Sequence, residues 1–191
     1  MIWFTSDLHF CHNKEFLYKP RGFNSVWDMN AAIVENWNKV VCPDDTVYLL
    51  GDVMLNDNEE GLRLLKQLKG EIHIVYGNHD TVERQYRYEL CWNVTSVEIA
   101  KTLKYESDDG HTYRFYLSHY PTVTDSNYGD KPLHKRLINL FGHTHQQNNF
   151  YADNPYMYHV GVDSHNCTPV DIETVIADIK RLWRNWQTRQ I

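Results

Sequence analysis

The sequence predicts an α/β fold, and three observations predict it. In the first half, apolar runs of strand length alternate with segments of helical period. In the second half, strand-like runs follow one another and a single amphipathic stretch closes the chain. Most of the strand-like runs end in a small cluster of Asp, Asn or His. Strand, helix, strand at this spacing argues for parallel strands joined by crossovers. No repeat, low-complexity tract or linker interrupts the 191 residues, so one domain over residues 1–191 is expected.

Ile2 to Ser6 reads as a buried first strand that runs into Asp7-Leu8-His9-Phe10-Cys11-His12-Asn13. Asp7 and His9 lie two apart, so on an extended backbone they point to the same side. A carboxylate and an imidazole form an ordinary ligand pair for a divalent first-row metal. His12 reads either as a further site residue or as an exposed loop histidine. Lys19-Pro20-Arg21-Gly22-Phe23 is a basic, turn-rich loop. Ser25 can cap a helix that starts near Val26 or Trp27, with Ala31, Ile33, Val34, Trp37, Val40 and Val41 on its apolar face and Pro43 as its stop. Thr46 to Leu50 is a second buried strand, ending at Gly51-Asp52. Asp57 to Leu68 is a short amphipathic helix, with Gly70 after it.

Glu71 to Tyr76 is a third strand, followed by Gly77-Asn78-His79-Asp80. Gly77 permits a sharp turn there. The turn offers an amide oxygen, an imidazole and a carboxylate in succession; its plain alternative is a polar turn whose Asn and Asp cap the next helix. Trp92 to Ala100 and Thr102 to Glu106 alternate weakly, and Ser107-Asp108-Asp109-Gly110 is a hairpin-type turn. Thr112 to Leu117 is a strand ending at Ser118-His119-Tyr120-Pro121. The polar loop from Thr122 to Arg136 is long enough to mark a functional edge. Leu137 to Phe141 is a strand ending at Gly142-His143-Thr144-His145, and Tyr156 to Val162 resembles a late strand ending at Asp163. Asp171 to Trp186 closes the chain as an amphipathic helix, with Ile172, Val175, Ile176, Ile179, Leu182 and Trp183 inward.

Composition narrows the function. Apolar residues make up 42% of the chain, enough for a sizeable core. A net charge of -6 argues against a protein that coats a long nucleic-acid backbone. It leaves room for a small phosphorylated substrate, because bound metal ions supply local positive charge. Cys11, Cys42, Cys91 and Cys167 are far apart and form no C-x-x-C pair, so free thiols in a reduced, cytoplasmic protein are the simplest reading. Met1 to Asp7 lacks the basic region and long apolar run of a signal peptide. No apolar stretch approaches the roughly 20 residues of a membrane span, so no membrane partner is expected.

The polar clusters matter together. Asp7/His9, Asp52, Asn78/His79, His119 and His143/His145 stand at strand ends, the edge where ligands gather in open α/β sheets. Seven of these residues suit direct metal contact, an inventory for a pair of divalent ions with Asp52 as bridge. Neutral imidazoles suit Zn, Mn, Fe or Ni better than Ca. The blocks D-x-H, G-D, G-N-H-D, H and G-H-x-H, in this order, resemble the calcineurin-like metallophosphoesterase superfamily. Asp7-Leu8-His9-Phe10 with His12, Arg21-Gly22-Phe23-Asn24-Ser25 and Val160-Gly161-Val162-Asp163 look like its small stand-alone bacterial and phage branch. Gly51-Asp52-Val53-Met54-Leu55 departs from the pattern, lacking a second acidic residue that some members carry there.

The resemblance implies a two-sheet β-sandwich flanked by helices, of αββα type, and a metal-dependent phosphohydrolase, a phosphodiesterase rather than a monoesterase. It implies two metal ions, one held by Asp7, His9, Asp52 and His145, the other by Asp52, Asn78, His119 and His143. A hydroxide between them would attack phosphorus. His79 would assist the leaving group, with Asp80 as its orienting partner. The competing readings are a non-catalytic protein-binding scaffold of the same fold and a nuclease on short nucleic acids. Substrate choice is expected from two loops. The first carries His12, Asn13, Lys19 and Arg21, whose guanidinium suits a two-pronged phosphate contact. The second carries Tyr128, Lys131, His134 and Lys135, and its tyrosine can stack on a nucleotide base.

Overall fold

Two sheets meet along the edge where their strands end. The structure, a computed structural model, describes residues 1–124 and 131–188. The first sheet has the order β4-β3-β2-β1-β9. Its strands are β1 (Ile2–Thr5), β2 (Thr46–Leu49), β3 (Glu71–Val75), β4 (Val94–Glu98) and the short β9 (Val170–Asp171). β1 to β4 pair in parallel, and β9 runs antiparallel to β1. The second sheet has the order β5-β6-β7-β8, built from β5 (Ala100–Glu106), β6 (Thr112–Ser118), β7 (Leu137–Phe141) and β8 (Met157–His159). Within it β5 and β6 form the antiparallel hairpin expected around Ser107-Asp108-Asp109-Gly110, and β6, β7 and β8 are parallel. The chain changes sheet at Ile99, between β4 and β5.

Among the described residues, five α-helices complete the sandwich: α1 (Glu15–Tyr18), α2 (Val26–Val40), α3 (Asn58–Leu65), α4 (Val82–Glu89) and α5 (Ile172–Thr188). Ser25 caps α2 as expected, its side chain accepting from the Asp28 N–H at 3.1 Å. Asp57 does the same for α3. The continuous apolar run of β2 follows from burial on both faces, as parallel strands between two layers require. Val47 and Leu49 face a core made with Met29, Ile33 and Trp37 of α2 and Leu62, Leu64 and Leu65 of α3. Tyr48 and Leu50 face the other core, with Phe115 and Leu117 of β6, Ile138 and Leu140 of β7, and Ile172, Val175, Ile176 and Ile179 of α5.

Three expectations shift. The helix from Asp57 stops at Leu65, the late strand shrinks to Met157–His159, and a single helical turn, α1, forms inside the first loop. The cap of α4 is Thr81, whose hydroxyl accepts from Arg84, and this frees Asn78 and Asp80 for other partners. Parallel β1, β2 and β3 bring residues 7, 52 and 78 to one edge, and parallel β6 and β7 bring 119 and 143 to the facing edge. The Ser6–Gly161 bridge joins the two edges.

Candidate metal centre

The ligand-type residues converge at this edge by a route other than extended alternation. Asp7, His9, Asp52, His143 and His145 all have left-handed φ, between 49° and 68°. Such backbone costs a non-glycine residue roughly 1–2 kcal/mol, so it persists only where the surroundings enforce it. Cross-strand bonds enforce it: Asp7 N–H donates to Gly51 O at 2.9 Å and His9 N–H to Asp52 O at 3.0 Å. Gly51 and Gly77 back onto each other beside His119. A Cβ at Gly51 would stand 2.6 Å from Gly77 N, and one at Gly77 would run into Asp52 Oδ1 and lie 2.7 Å from His119 Cε1. No side chain fits either position.

The donor atoms fall into two groups that share Asp7. Asp7, His9 and His145 present ligand atoms within 4.8 Å of one another, and so do Asp7, Asp52 and His119. His9 Nε2 lies 3.1 Å from His145 Nε2. Asn78 Oδ1 lies 3.0 Å from His119 Nε2 and 2.9 Å from His143 Nδ1. Asp52 Oδ1 accepts the His79 N–H, while Oδ2 faces three imidazoles, His9 at 3.5 Å, His119 at 3.6 Å and His79 at 3.9 Å. Asp7 is oriented by the Ser6 hydroxyl and the His143 N–H.

Outer partners settle which nitrogen of each ring is available. His119 Nδ1 donates to Leu50 O at 2.8 Å and His145 Nδ1 to Asp163 at 2.9 Å, so each ring turns the Nε2 lone pair into the cluster. Burial pushes the Asp7 carboxyl above its ordinary value. Burial and the neighbouring His145 drive the His9 imidazole well below its own. Burial resists charge on His145 too, but the Asp163 hydrogen bond and the Asp7 carboxylate hold it up. Inward-facing imidazole lone pairs beside buried carboxylate oxygens repel one another. A cation among them removes that repulsion and favours an ionised Asp7 with neutral rings. The donor set fits a divalent transition ion.

Expectations for four surrounding residues are corrected. Asp80 does not touch the His79 ring. It is buried, and its carboxylate accepts from the N–H groups of Asp52, Gly77 and Val53 and from the Tyr88 hydroxyl, clasping the 52–53 turn to the 77–80 turn. Burial pushes its carboxyl up, and those donors pull against it. Arg21 does not face a substrate: its side chain is 1% exposed and forms a two-pronged pair with Asp163, both contacts at 2.8 Å. It also donates to the Asp7 carbonyl at 3.0 Å, so it braces the D-x-H turn and His145 from behind. Asn13 is exposed and outside the cavity, and Lys19 pairs with Glu15 on the surface.

His12 does reach the site, its Nδ1 3.3 Å from His9 Nδ1. His79, 42% exposed, lines the cavity above Asp52. Of the second loop, Tyr128 lies outside the described residues. His134 and Lys135 sit beside His111 and Thr112 at the opposite end of β6 from His119, away from the metal edge. The reading from residue types missed the cavity wall, Phe16, Leu17, Pro20, Leu55 and Gln147, in a cavity of about 610 Å3. It also gave Asp163 no role.

The chain matches the calcineurin-like phosphoesterase superfamily domain over residues 1–181. It belongs to that superfamily. This phosphoesterase is 30% identical over 191 residues to the uncharacterised protein MJ1445 of Methanocaldococcus jannaschii, covering 94% of this chain and 92% of that one. It is 32% identical over 196 residues to the gene 66 protein of Mycobacterium phage D29, covering 94% and 97%. Among solved structures it resembles the protein of unknown function AQ665 from Aquifex aeolicus, with a TM-score of 0.65, 25% identity, and coverage of 93% and 98%. The phosphoesterase thus carries candidate Asp and His groups for divalent metal at the meeting edge of its sheets. No helix among its described residues is long and apolar enough to cross a membrane.

Proposed function

We propose that this phosphoesterase is a phosphodiesterase acting on a small substrate with two divalent ions. The observation that carries the reading is Asp52: one carboxylate oxygen, left free by the bond that occupies its twin, faces imidazoles from both ligand groups. Asp7, His9, Asp52 and His145 would hold one ion, and Asp52, Asn78, His119 and His143 the other. When bound, such a pair supplies the charge that polarises phosphoryl oxygens and lowers the pKa of water. Mn, Fe, Zn or Ni suits the donors.

The chain's own residues do the rest. Arg21 and Asp163 hold His145 in the tautomer that offers Nε2. Asp80 keeps the Asp52 and Asn78 turns in register. The His79 ring lies beside Asp52, His9 and His12, is open to the cavity, and is fixed through its backbone. Its N–H is bonded to Asp52 and its carbonyl to Arg84. We assign it the proton delivered to the leaving oxygen. The apolar wall supports a diester, since it gives the second ester arm somewhere to lie, and a nucleotide arm over a simple alkyl one.

The test pairs two substitutions under Mn. Asp52→Ala loses metal and activity together. His79→Ala keeps full metal by elemental analysis and loses turnover of an aryl phosphodiester by roughly 100-fold to 10,000-fold, less for a better leaving group. Metal loss in His79→Ala, or robust turnover after complete metal stripping, refutes the assignment.

A further inference from the structure

We propose that Phe16, on the single turn α1, is the stacking platform of a nucleobase subsite, with Gln147 at the base edge. The inference rests on the phosphodiesterase reading and names the arm that its substrate carries. The cavity over the ligand cluster has two characters. Its floor is polar, made by His9, Asp52, Asn78, His143 and His145. One wall is apolar: Phe16, Leu17, Pro20 and Leu55 bring no polar side-chain atom to it. A substrate that is all phosphate and hydroxyl would leave that wall wet, whereas an ester arm with a flat apolar face would cover it.

Phe16 is placed for such an arm. Its side chain lines the cavity, yet the residue is 73% exposed, so the ring is uncovered in the structure. It stands edge-on to His12, with ring centroids 5.8 Å apart and planes at 89°. His12 in turn lies 5.2 Å from the ligand His9, so two ring contacts carry the wall from the ligand cluster to the platform. A phosphate seated at the ligands therefore has its attached arm in the same cavity that Phe16 lines. Gln147 lines the same cavity, is exposed, and has no side-chain hydrogen-bond partner among the described residues. An amide offers a donor and an acceptor together, the pairing that a base edge presents. A stacking ring with an uncommitted amide distinguishes a nucleoside arm from a merely apolar one.

The experiment compares AMP with ribose 5-phosphate, which share the phosphate and differ by the base, on the Mn-loaded full chain by titration calorimetry. AMP is expected to bind about tenfold to 100-fold more tightly, the range of one stacked base. Phe16→Ala should bring AMP down to the affinity of ribose 5-phosphate, and Phe16→Trp should restore the difference. Gln147→Ala should flatten the ranking among AMP, GMP, CMP and UMP. Equal binding of AMP and ribose 5-phosphate by a chain that hydrolyses bis(p-nitrophenyl) phosphate overturns the subsite and leaves the phosphodiesterase reading standing. So does a preference that survives Phe16→Ala. Neither phosphate binding at millimolar ligand nor diester hydrolysis overturns both.

Discussion

Asp80→Asn separates two roles for Asp80 that the residue types alone do not. The carboxylate takes two donors on each oxygen: Asp52 N at 2.8 Å and Gly77 N at 2.8 Å on Oδ2, Val53 N at 3.2 Å and Tyr88 Oη at 2.8 Å on Oδ1. An amide must turn its NH2 toward one pair. Toward Oδ2 it would meet two backbone N–H groups that cannot reverse. Toward Oδ1 it meets one such N–H and a hydroxyl that can rotate to accept. The second orientation is therefore taken, with Val53 N–H unpartnered in a buried place and the remaining bonds weakened by the loss of charge. An orphaned buried donor costs roughly 1–3 kcal/mol, and each bond that loses its charge somewhat under 1–2 kcal/mol. Relief of the buried charge offsets part of this, leaving a net loss of about 1–3 kcal/mol. Urea unfolding followed by tryptophan fluorescence, in chelator so that metal linkage does not contribute, should show a midpoint lower by about 1 M for a slope of 1–3 kcal/mol/M. The loosened turns carry Asp52 and Asn78, so metal affinity should fall as well. If Asp80 instead oriented the His79 ring, the midpoint and metal content would stay at wild-type values and only turnover would drop. That result would refute the clasp.

Arg21→Ala leaves Asp163 buried with His145 as its remaining charged partner, and stability should fall by roughly 3–5 kcal/mol, measured by the same unfolding assay. Arg21→Lys keeps the charge but loses the fork, and should fall between the two. Gly77→Ala puts a methyl group onto Asp52 and His119, so the purified protein should retain its circular dichroism and fail to hold stoichiometric Mn. Asp109 ties the β5–β6 turn to α5 through Lys180. Burial opposes its charge, but Lys180, the His111 N–H and the Tyr113 hydroxyl hold its carboxyl well below the ordinary carboxylate range. A depressed folded-state pKa gives stability that is present above the unfolded value, about 4, and lost as pH falls through the folded one. Asp109→Asn should therefore lower stability by about 1 kcal/mol at pH 7, allowing for solvent screening, and the gap to wild type should close on acidification below pH 4.

What the residue types disclose, and what they hide, follows the range of the interactions involved. Strands buried on both faces announce themselves as apolar runs, and each run points at the polar cluster that ends it. That is why Asp52, Asn78, His119 and the His143/His145 pair are legible as one edge. The partners behind that edge are not. Arg21 reads as a free basic loop residue because the carboxylate that claims it, Asp163, is 142 positions away. Asp80 reads as the neighbour of His79 because they are adjacent in sequence, while three of its four donors belong to Asp52, Val53 and Tyr88. Phe16 looks like any loop aromatic until α1 sets it on the cavity wall.

The D-x-H pair is the sharpest case, because the expected residues converge for a different reason. Extended alternation would also put Asp7 and His9 on one side, but both residues, with Cys11 after them, have positive φ. Aspartate and histidine tolerate that backbone better than most residues and cysteine does not, but nothing in the tetrad Asp7-Leu8-His9-Phe10 requires it. The bonds to Gly51 O, Asp52 O and Val53 O from the next strand end impose it, and Arg21 seals it by donating to Asp7 O. The ligand geometry is thus a property of adjoining strand ends. A peptide carrying residues 1–13 alone would have the metal-binding residue types without the arrangement that makes them a site.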